Sequence, residues 1–433
     1  MKKIICTFSI LMAVFFGISP LFSNEVPEKK TVLSELIQEA LHQNPQIQAV
    51  MNGWKAALKI IPQAKSLPDP MLSYSYFGQS IETRLGPQRN KVSISQKFPY
   101  FGKLSIKGEI ARKSALVLEE RYNAVKLNIV LKVRNAFFSL FWFDRAIRIS
   151  QEEKEVLQRL AKIAEIKYET GKVNQQDVLK AQLEISKVLD KILNLNQGRK
   201  AITAELNSLL NRPPGSYLGE VEEFELPDLK VGLEKLYEWA KEMRPEMRQA
   251  QRFIEKNEES LKLAKKNYFP DFKIMFDYID IRGGTTTNPE DGRNSWMASI
   301  GINLPIWRKK LRASEAEAAI KVEASRKSYK DVENETLSLV NELFFEVKTA
   351  SEEVNLYEYS LMPQAEQSLK ASEIGYLTGK VDFLNLLDAE RMVLLIKIGY
   401  FKTIADLGKS LAQLERVVGK DITSEQKAVK SEK

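Results

Sequence analysis

The sequence predicts a mainly α-helical chain with a small membrane β-barrel part: long antiparallel coiled-coil helices that build an α-barrel, plus four β-strands per chain. Three observations predict this class. Four short segments alternate between apolar and polar residues, and much longer segments repeat their apolar residues every three or four positions. The second half of the chain also repeats the motifs of the first, which indicates an internal tandem repeat.

The four alternating segments are typical of strands with one apolar and one polar face. They span residues 71–77, 91–98, 272–281 and 295–304, and in the third Phe276 and Tyr278 alternate with Asp277. Such segments near ten residues long are typical of barrel strands whose apolar side chains face lipid. The alternative is an amphipathic sheet in a soluble domain. The absence of a nearby helix to cover the apolar face favours the membrane.

Four strands are too few to close a membrane barrel, which needs about eight. An open sheet edge in lipid would leave backbone groups without hydrogen-bond partners. The pattern therefore predicts an oligomer, with eight strands in a dimer or twelve in a trimer. Five aromatic residues stand where the strands meet the helices, as expected of an aromatic girdle at the membrane interface. They are Tyr100, Phe101, Tyr268, Phe269 and Trp307.

Long helices follow each predicted strand pair. In the first half they span residues 104–167 and 174–210, and about 65 helical residues reach roughly 100 Å. A short turn with Gly171 separates them, which predicts an antiparallel helical hairpin. Their leucine and isoleucine stripes are interpreted as helix-packing surfaces rather than as a substrate site.

The repeat divides the chain into two similar parts. Tyr168-Glu-Thr-Gly-Lys-Val173 returns as Tyr376-Leu-Thr-Gly-Lys-Val381, and Phe137-Phe138 returns as Phe344-Phe345. The predicted segments are a signal peptide (1–23), a first repeat (24–211, with β-hairpin 71–98 and helical hairpin 104–210), a linker (212–230), a second repeat (231–419, with β-hairpin 272–304 and helical hairpin 306–418) and a disordered tail (420–433).

Composition argues against several classes of protein. The single cysteine, Cys6, lies in the predicted signal peptide, so the mature chain has no thiol chemistry. The net charge is +8, but lysine and arginine alternate with glutamate along helical patterns, which disfavours a nucleic-acid partner. His42 is the only histidine, and no catalytic set, metal cluster or phosphate loop is found, so neither an enzyme nor a cofactor is predicted.

Six motifs in order resemble the TolC family of outer-membrane efflux proteins, the outer membrane factors, over nearly the whole mature chain. They are Asn44-Pro45, Arg244-Pro245, SQKFPYFGK (95–103), YETGKVNQQDVLKAQ (168–182), YFPDFKI (268–274) and YLTGKVDFLNLLDAE (376–390). The resemblance implies a homotrimer whose twelve strands form one shared barrel in outer-membrane lipid. Its twelve long helices would form a tunnel across the periplasm of a Gram-negative bacterium.

The resemblance also implies an export channel of a tripartite efflux or type I secretion system. Such a channel works with a periplasmic adaptor protein and an inner-membrane transporter, and it passes small molecules (drugs or metal ions) or proteins. The alternative from the sequence is a periplasmic coiled-coil scaffold without a pore. The two-faced strands favour the channel.

A gate at the periplasmic end is a further implication of the resemblance. In the family a tyrosine meets an aspartate on a neighbouring helical hairpin, and here these positions are Tyr376 and Asp177. Two inward acids align with Asn385 and Asp388, and a family arginine aligns with Val381. A ring of three Asp388 side chains would favour cations.

The two turns between the long helices are candidates for contact with the adaptor. Their residues are Thr170, Gly171, Lys172, Val173, Thr378, Gly379, Lys380 and Val381. A tight-turn role for the threonines and glycines is an equal alternative, and either lysine is a candidate to replace the missing arginine. For Asp177 the alternative is a favourable charge at a helix N-terminus, and for Tyr376 it is packing across the hairpin.

Overall fold

The computed structural model describes residues 30–422 except 225 and 228. The predicted signal peptide and residues 423–433 of the predicted tail lie outside the described residues. Two of the first three residues of that tail pack against the helices: the Ile422 side chain is buried, and Lys420 Nζ lies 4.2 Å from the ring centroid of Trp239.

Both halves of the chain contain two short helices, two strands and two long helices in the same order. The first half contains α1 (Leu33–Gln43), α2 (Pro45–Lys65), β1 (Met71–Tyr76), β2 (Gln88–Phe98), α3 (Lys103–Glu169) and α4 (Gln175–Leu209). The second contains α5 (Leu233–Met243), α6 (Pro245–Lys266), β3 (Phe272–Ile281), β4 (Ser295–Ile302), α7 (Arg308–Leu356), a π-helical turn (Tyr357–Leu361), α8 (Met362–Leu377) and α9 (Phe383–Val418). Tandem duplication would explain this order and stays a prediction.

The first helix break follows directly from its sequence. Asn44 caps α2, because its side-chain oxygen accepts hydrogen bonds from the backbone N–H groups of Gln46 (2.9 Å) and Ile47 (3.3 Å). Pro45 follows at the first helical position, where its missing N–H costs nothing.

The four strands form one antiparallel sheet in the order β1-β2-β3-β4, so β2 and β3 join the two halves. β2 begins at Gln88, three residues before the predicted start. The added residues continue the ladder, because Asn90 pairs with Tyr76 on β1 and with Asp280 on β3. These residues are polar, so the apolar alternation does not reveal them.

The sheet has the two faces that the alternation predicts. On one face the side chains are apolar and open, with Tyr74 66% exposed and Trp296 70% exposed. On the other face Ser93 and Asp277 are buried, and the Asp277 carboxylate pairs with Lys91 Nζ at 3.0 Å. An apolar face that none of the described residues covers is suited to lipid rather than to water.

The long helices pack against one another through successive apolar clusters. α3 has 67 residues and is therefore about 100 Å long. Near the free ends of the helices, Leu160 of α3, Ala181 of α4 and Leu386 of α9 belong to one cluster that joins the two helical hairpins. No helix in the described part of the chain combines the length and the apolar composition that crossing a membrane requires.

Candidate functional site: the helical tips and the aromatic belt

Both helical tips are tight turns built on a left-handed glycine. Gly171 has φ 69° and Gly379 has φ 74°, conformations that favour glycine. In the first tip the Lys172 N–H donates to the Lys167 carbonyl at 2.9 Å. In the second the Lys380 N–H donates to the Gly375 carbonyl at 2.8 Å. Each tip therefore ends its helix with a Schellman motif.

The threonines of the two tips have a structural role within the turn. The hydroxyl of Thr170 donates to the Ile166 carbonyl at 3.1 Å, and that of Thr378 donates to the Ile374 carbonyl at 2.9 Å. Val173 and Val381 are half-buried, whereas Lys172 and Lys380 are exposed. The lysines are therefore the tip side chains with most freedom to meet a partner.

Tyr376 lies in the last turn of α8 and is only 3% exposed. Its ring packs against Phe383 with 5.2 Å between centroids, and its buried hydroxyl has no hydrogen-bond partner among the described residues. Burial raises the pKa of Tyr376 to about 12, and the nearby charge of Asp177 adds to the effect. The structure thus brings Tyr376 and Asp177 within range of each other's charge, without a hydrogen bond from the hydroxyl.

Asp177 is half-buried in the first turn of α4. Burial raises its pKa, the charge of Lys180 opposes the rise, and the charge of Asp382 at the other tip adds to it. The carboxylate is therefore within range of a charge on the other helical hairpin, and it also lies at a helix N-terminus, where a negative charge is favourable. This position fits both roles considered from the sequence.

Lys167 contacts Tyr376 across the two tips, a contact that the sequence does not reveal. Its ammonium group donates a hydrogen bond to the Tyr376 carbonyl at 2.5 Å and lies 4.0 Å from the centroid of the Tyr376 ring. The turn motifs draw attention to Lys172 and Lys380 instead. A comparison of the two repeats contains a signal for this contact, because Lys167 occupies the position that corresponds to Gly375 in the second repeat.

Asn385 and Asp388 are both exposed near the start of α9. The Asn385 N–H donates to Asp382 Oδ1 at 2.9 Å, which caps the helix. Asp388 pairs with Arg391 at 3.1 Å, and Arg391 also pairs with Glu184 of α4 at 2.8 Å. An arginine therefore links the two hairpins, although it is not at position 381.

Glu184 is mostly buried in this ion-pair group. Burial acts to raise the pKa of Glu184, but hydrogen bonds from Lys187 and Arg391 outweigh that effect and hold the pKa below its usual range. The group therefore stays charged at neutral pH and ties α4 to α9.

The five predicted girdle residues lie where the sheet meets the helices. Tyr100 and Phe269 stack at 4.7 Å between centroids, and Lys266 Nζ lies 5.5 Å from the centroid of the Tyr100 ring. Arg308 lies 5.7 Å from the centroid of Tyr268, and Phe101 and Trp307 are 81% and 74% exposed. Rings flanked by cations at the edge of an apolar surface are suited to a membrane interface.

Within residues 30–224, 226–227 and 229–422, no group of three or more histidine, cysteine, aspartate or glutamate side chains is arranged to hold a metal ion.

Known proteins share both the sequence pattern and the fold. The family model described as "Outer membrane efflux protein" matches residues 36–212 and 236–420. The cobalt-zinc-cadmium resistance protein CzcC of Cupriavidus metallidurans is 20% identical over 367 residues, which cover 83% of this chain and 83% of CzcC.

Solved structures of outer-membrane proteins have the same fold. The outer membrane protein VceC of Vibrio cholerae superposes with a TM-score of 0.74 at 18% identity, covering 90% of this chain and 96% of VceC. The open state of the Neisseria gonorrhoeae outer membrane channel MtrE superposes with a TM-score of 0.75 at 17% identity, covering 90% of this chain and 89% of MtrE. Because the family model covers both halves of the chain, this is an outer-membrane protein with a large periplasmic helical part, and it belongs to the outer membrane efflux protein family.

Proposed function

We propose that three copies of this chain form one export channel through the periplasm and the outer membrane. The four-stranded sheet carries the proposal, because its apolar face is exposed and its outer strands, β1 and β4, each have a single neighbour among the described strands. In lipid an unpaired strand edge is very costly, and four strands cannot close a barrel. Three copies would supply twelve strands in a closed barrel.

Exposed leucines on α4 support the association of several chains. Leu179, Leu183 and Leu193 are 56%, 55% and 70% exposed on one long helix. Large apolar side chains at such spacing are usually covered by a neighbouring helix. A second copy of the chain, placed beside α4 in a ring, would cover them.

The helical tips are the proposed contact with a periplasmic adaptor and, through it, with an inner-membrane transporter. The tips lie about 100 Å along the helices from the sheet, and Lys172 and Lys380 are exposed at their ends. An adaptor with acidic or hydrogen-bond-accepting groups at its contact surface would match these two lysines.

Tyr376, Asp177 and Asp388 are the proposed gate residues around the tip. Asp388 is 64% exposed, yet Arg391 lies 3.1 Å from it and compensates part of its charge. We therefore expect a weaker preference for cations than a ring of three free carboxylates would give.

The proposed cargo is a small molecule or ion, and divalent metal ions are the first class to test. CzcC, to which the chain is similar, is named for resistance to cobalt, zinc and cadmium. Deletion of the gene should then lower the concentration of at least one of these ions that stops growth. Sensitivity to drugs alone would contradict a metal cargo and favour drug export.

Single-channel conductance in a planar bilayer separates a channel from a periplasmic scaffold. The purified protein should insert and give discrete steps of small conductance, as expected of a duct that is nearly closed at one end. A protein that stays in solution without detergent and gives no steps would favour the scaffold.

A further inference from the structure

We propose that Lys167 is a positioning residue that holds the α8–α9 tip against the α3–α4 tip and keeps the channel closed; this rests on the proposed channel function. The contact between Lys167 and Tyr376 is called the Lys167 clasp below. It joins two hairpins that otherwise meet near their ends through apolar side chains and the Arg391 ion pairs.

One ammonium group makes two contacts with the same residue. Lys167 Nζ donates to the Tyr376 carbonyl at 2.5 Å and lies 4.0 Å from the centroid of the ring. The carbonyl belongs to the last turn of α8, where the helix carries partial negative charge. The ring face is also negative, so both contacts attract a cation.

Acidic groups around the clasp favour a positive charge there. Asp177 lies close enough for its charge to act on Tyr376, and the charge of Lys167 acts to lower the pKa of Asp177. Asp382 adds a second negative charge next to Asp177. A cation at position 167 therefore compensates acids contributed by both hairpins.

The two repeats differ at this position, so the first tip supplies the lysine of the clasp and the second tip supplies the tyrosine. Lys167 precedes Tyr168, and its counterpart Gly375 precedes Tyr376. A Cβ at Gly375 would collide with the Val381 side chain, so the second tip has no room for a lysine there. Tyr168 is 45% exposed, whereas Tyr376 is 3% exposed.

The lysines that the turn motifs single out make no such link. In the described part of the chain, neither Lys172 nor Lys380 forms an ion pair or a side-chain hydrogen bond across the tips. Lys167 is therefore the cation of this region that bridges the two hairpins at Tyr376, and separating the tips would break its contacts.

Single-channel conductance of Lys167→Met, Lys167→Arg and Lys162→Met tests the clasp. Methionine keeps an unbranched stem and removes the charge. Lys167→Met should therefore raise, about fivefold, the fraction of time that the channel spends in a state of larger conductance than its nearly closed state. Lys167→Arg should stay within about twofold of the wild type, because the cation is kept. Lys162→Met removes an exposed α3 charge that pairs with Glu165 outside the clasp, and it should leave the conductance unchanged.

A double-mutant cycle with Tyr376→Leu separates the clasp from general loosening of the tip. Leucine removes the ring but keeps the carbonyl. Lys167→Met should therefore have a smaller effect in the Tyr376→Leu background than alone. Effects that simply multiply would contradict a direct contact with the ring.

Spin labels measure the separation of the tips directly. The only cysteine is Cys6, so labels at Glu169→Cys and Thr378→Cys on the mature chain would be specific. Lys167→Met should lengthen and broaden the distance distribution. Unchanged conductance and unchanged distances in Lys167→Met would overturn the clasp alone. A wild-type protein without channel activity would instead overturn the proposed function.

Discussion

Two buried glutamates face each other between α3 and α9. Glu153 is 7% exposed and Glu390 is 3% exposed, and one Glu390 oxygen has no hydrogen-bond partner among the described residues. Burial raises the pKa of Glu153 to about 9, and its hydrogen bond to Glu390 adds to the rise. Two carboxylates in contact away from water do not both ionise readily, so the pair holds a proton at neutral pH.

This pair predicts a dependence of stability on pH. Because the pKa in the folded protein is above the unfolded value of about 4.3, the folded chain binds more protons between about pH 4 and pH 9. The free energy of unfolding should therefore fall as pH rises through that range and level off above it. Lys191 of α4 and Lys397 of α9 reduce the effect through their charges without abolishing it.

Thermal unfolding between pH 5 and pH 9 tests the pair. Glu390→Gln removes the carboxyl that helps to raise the pKa of Glu153, so the unfolding midpoint of this variant should fall less steeply with pH, and at pH 8 it should exceed that of the wild type by several degrees. Glu155→Gln on the exposed side of α3 is the matched control and should follow the wild-type curve. Parallel curves for Glu390→Gln and the wild type would refute the shared proton.

The sequence predicts residues whose role depends on their immediate neighbours in the chain, and it misses residues whose role depends on the packing of distant segments. Gly171 and Gly379 stand out because a turn needs them where they are. Lys167, Arg391 and Glu153 look like ordinary members of charged helices, since their roles depend on which helix faces meet. The placements of Tyr376 and Asp177 came from the family resemblance, and their gate role stays a prediction.

At the scale of elements, α3 is continuous, whereas the matching helix of the second half is interrupted by the π-helical turn at Tyr357–Leu361. The spacing of the repeats contains a signal for this difference. Phe344 follows Phe137 by 207 residues, but Tyr376 follows Tyr168 by 208. One extra residue between these pairs is what a π-turn absorbs in a helix. Helical periodicity alone predicts one long helix and misses the turn.

Deletion of a single residue tests that interpretation. Removal of the exposed Tyr359 should convert the π-turn to regular helix and leave the packing on both sides intact. Removal of Glu152, its counterpart 207 residues earlier in α3, should rotate all later residues of that helix by about 100°. Leu157 and Leu160 would then leave the core, at a cost of roughly 2–5 kcal/mol each.

Cooperative unfolding followed by circular dichroism distinguishes the two deletions. The Tyr359 deletion should unfold within a few degrees of the wild type, and the Glu152 deletion should lose its cooperative transition. Equal tolerance of both deletions would show that the extra residue is not what the π-turn accommodates.

At the scale of the whole molecule, the two faces of the sheet should differ in their tolerance of charge. Ile300 is 78% exposed on the apolar face of β4, and Ser299 is its neighbour on the polar face. A lysine that faces lipid near the middle of a bilayer costs about 2–4 kcal/mol, whereas one that faces the lumen costs little. Ile300→Lys should therefore lower the yield of membrane-inserted protein, and Ser299→Lys should not.

Membrane extraction followed by gel analysis of folded protein measures this difference. Comparable yields for Ile300→Lys and Ser299→Lys would contradict lipid contact at the apolar face. A loss for Ser299→Lys alone would mean that the assignment of the two faces is reversed.

The sequence predicts the individual elements of the molecule better than it predicts how they pair and assemble. The four predicted strands are confirmed, and new helices begin at Pro45 and Pro245, because each of these features has a local pattern. The ladder between β2 and β3 has no such signal, since it joins segments 184 residues apart, as in the pair Ser93 and Asp277. Assembly depends on surfaces such as the exposed leucines of α4, which a second copy of the chain would cover. The trimer therefore stays a proposal.

The mass of the purified complex in detergent tests whether three chains form the channel. The 433 residues have a mass of 49.5 kDa, and native mass spectrometry counts the copies without reference to activity. We expect three chains per complex, which would supply twelve strands to one closed barrel. A single chain that remains in solution without detergent would contradict it.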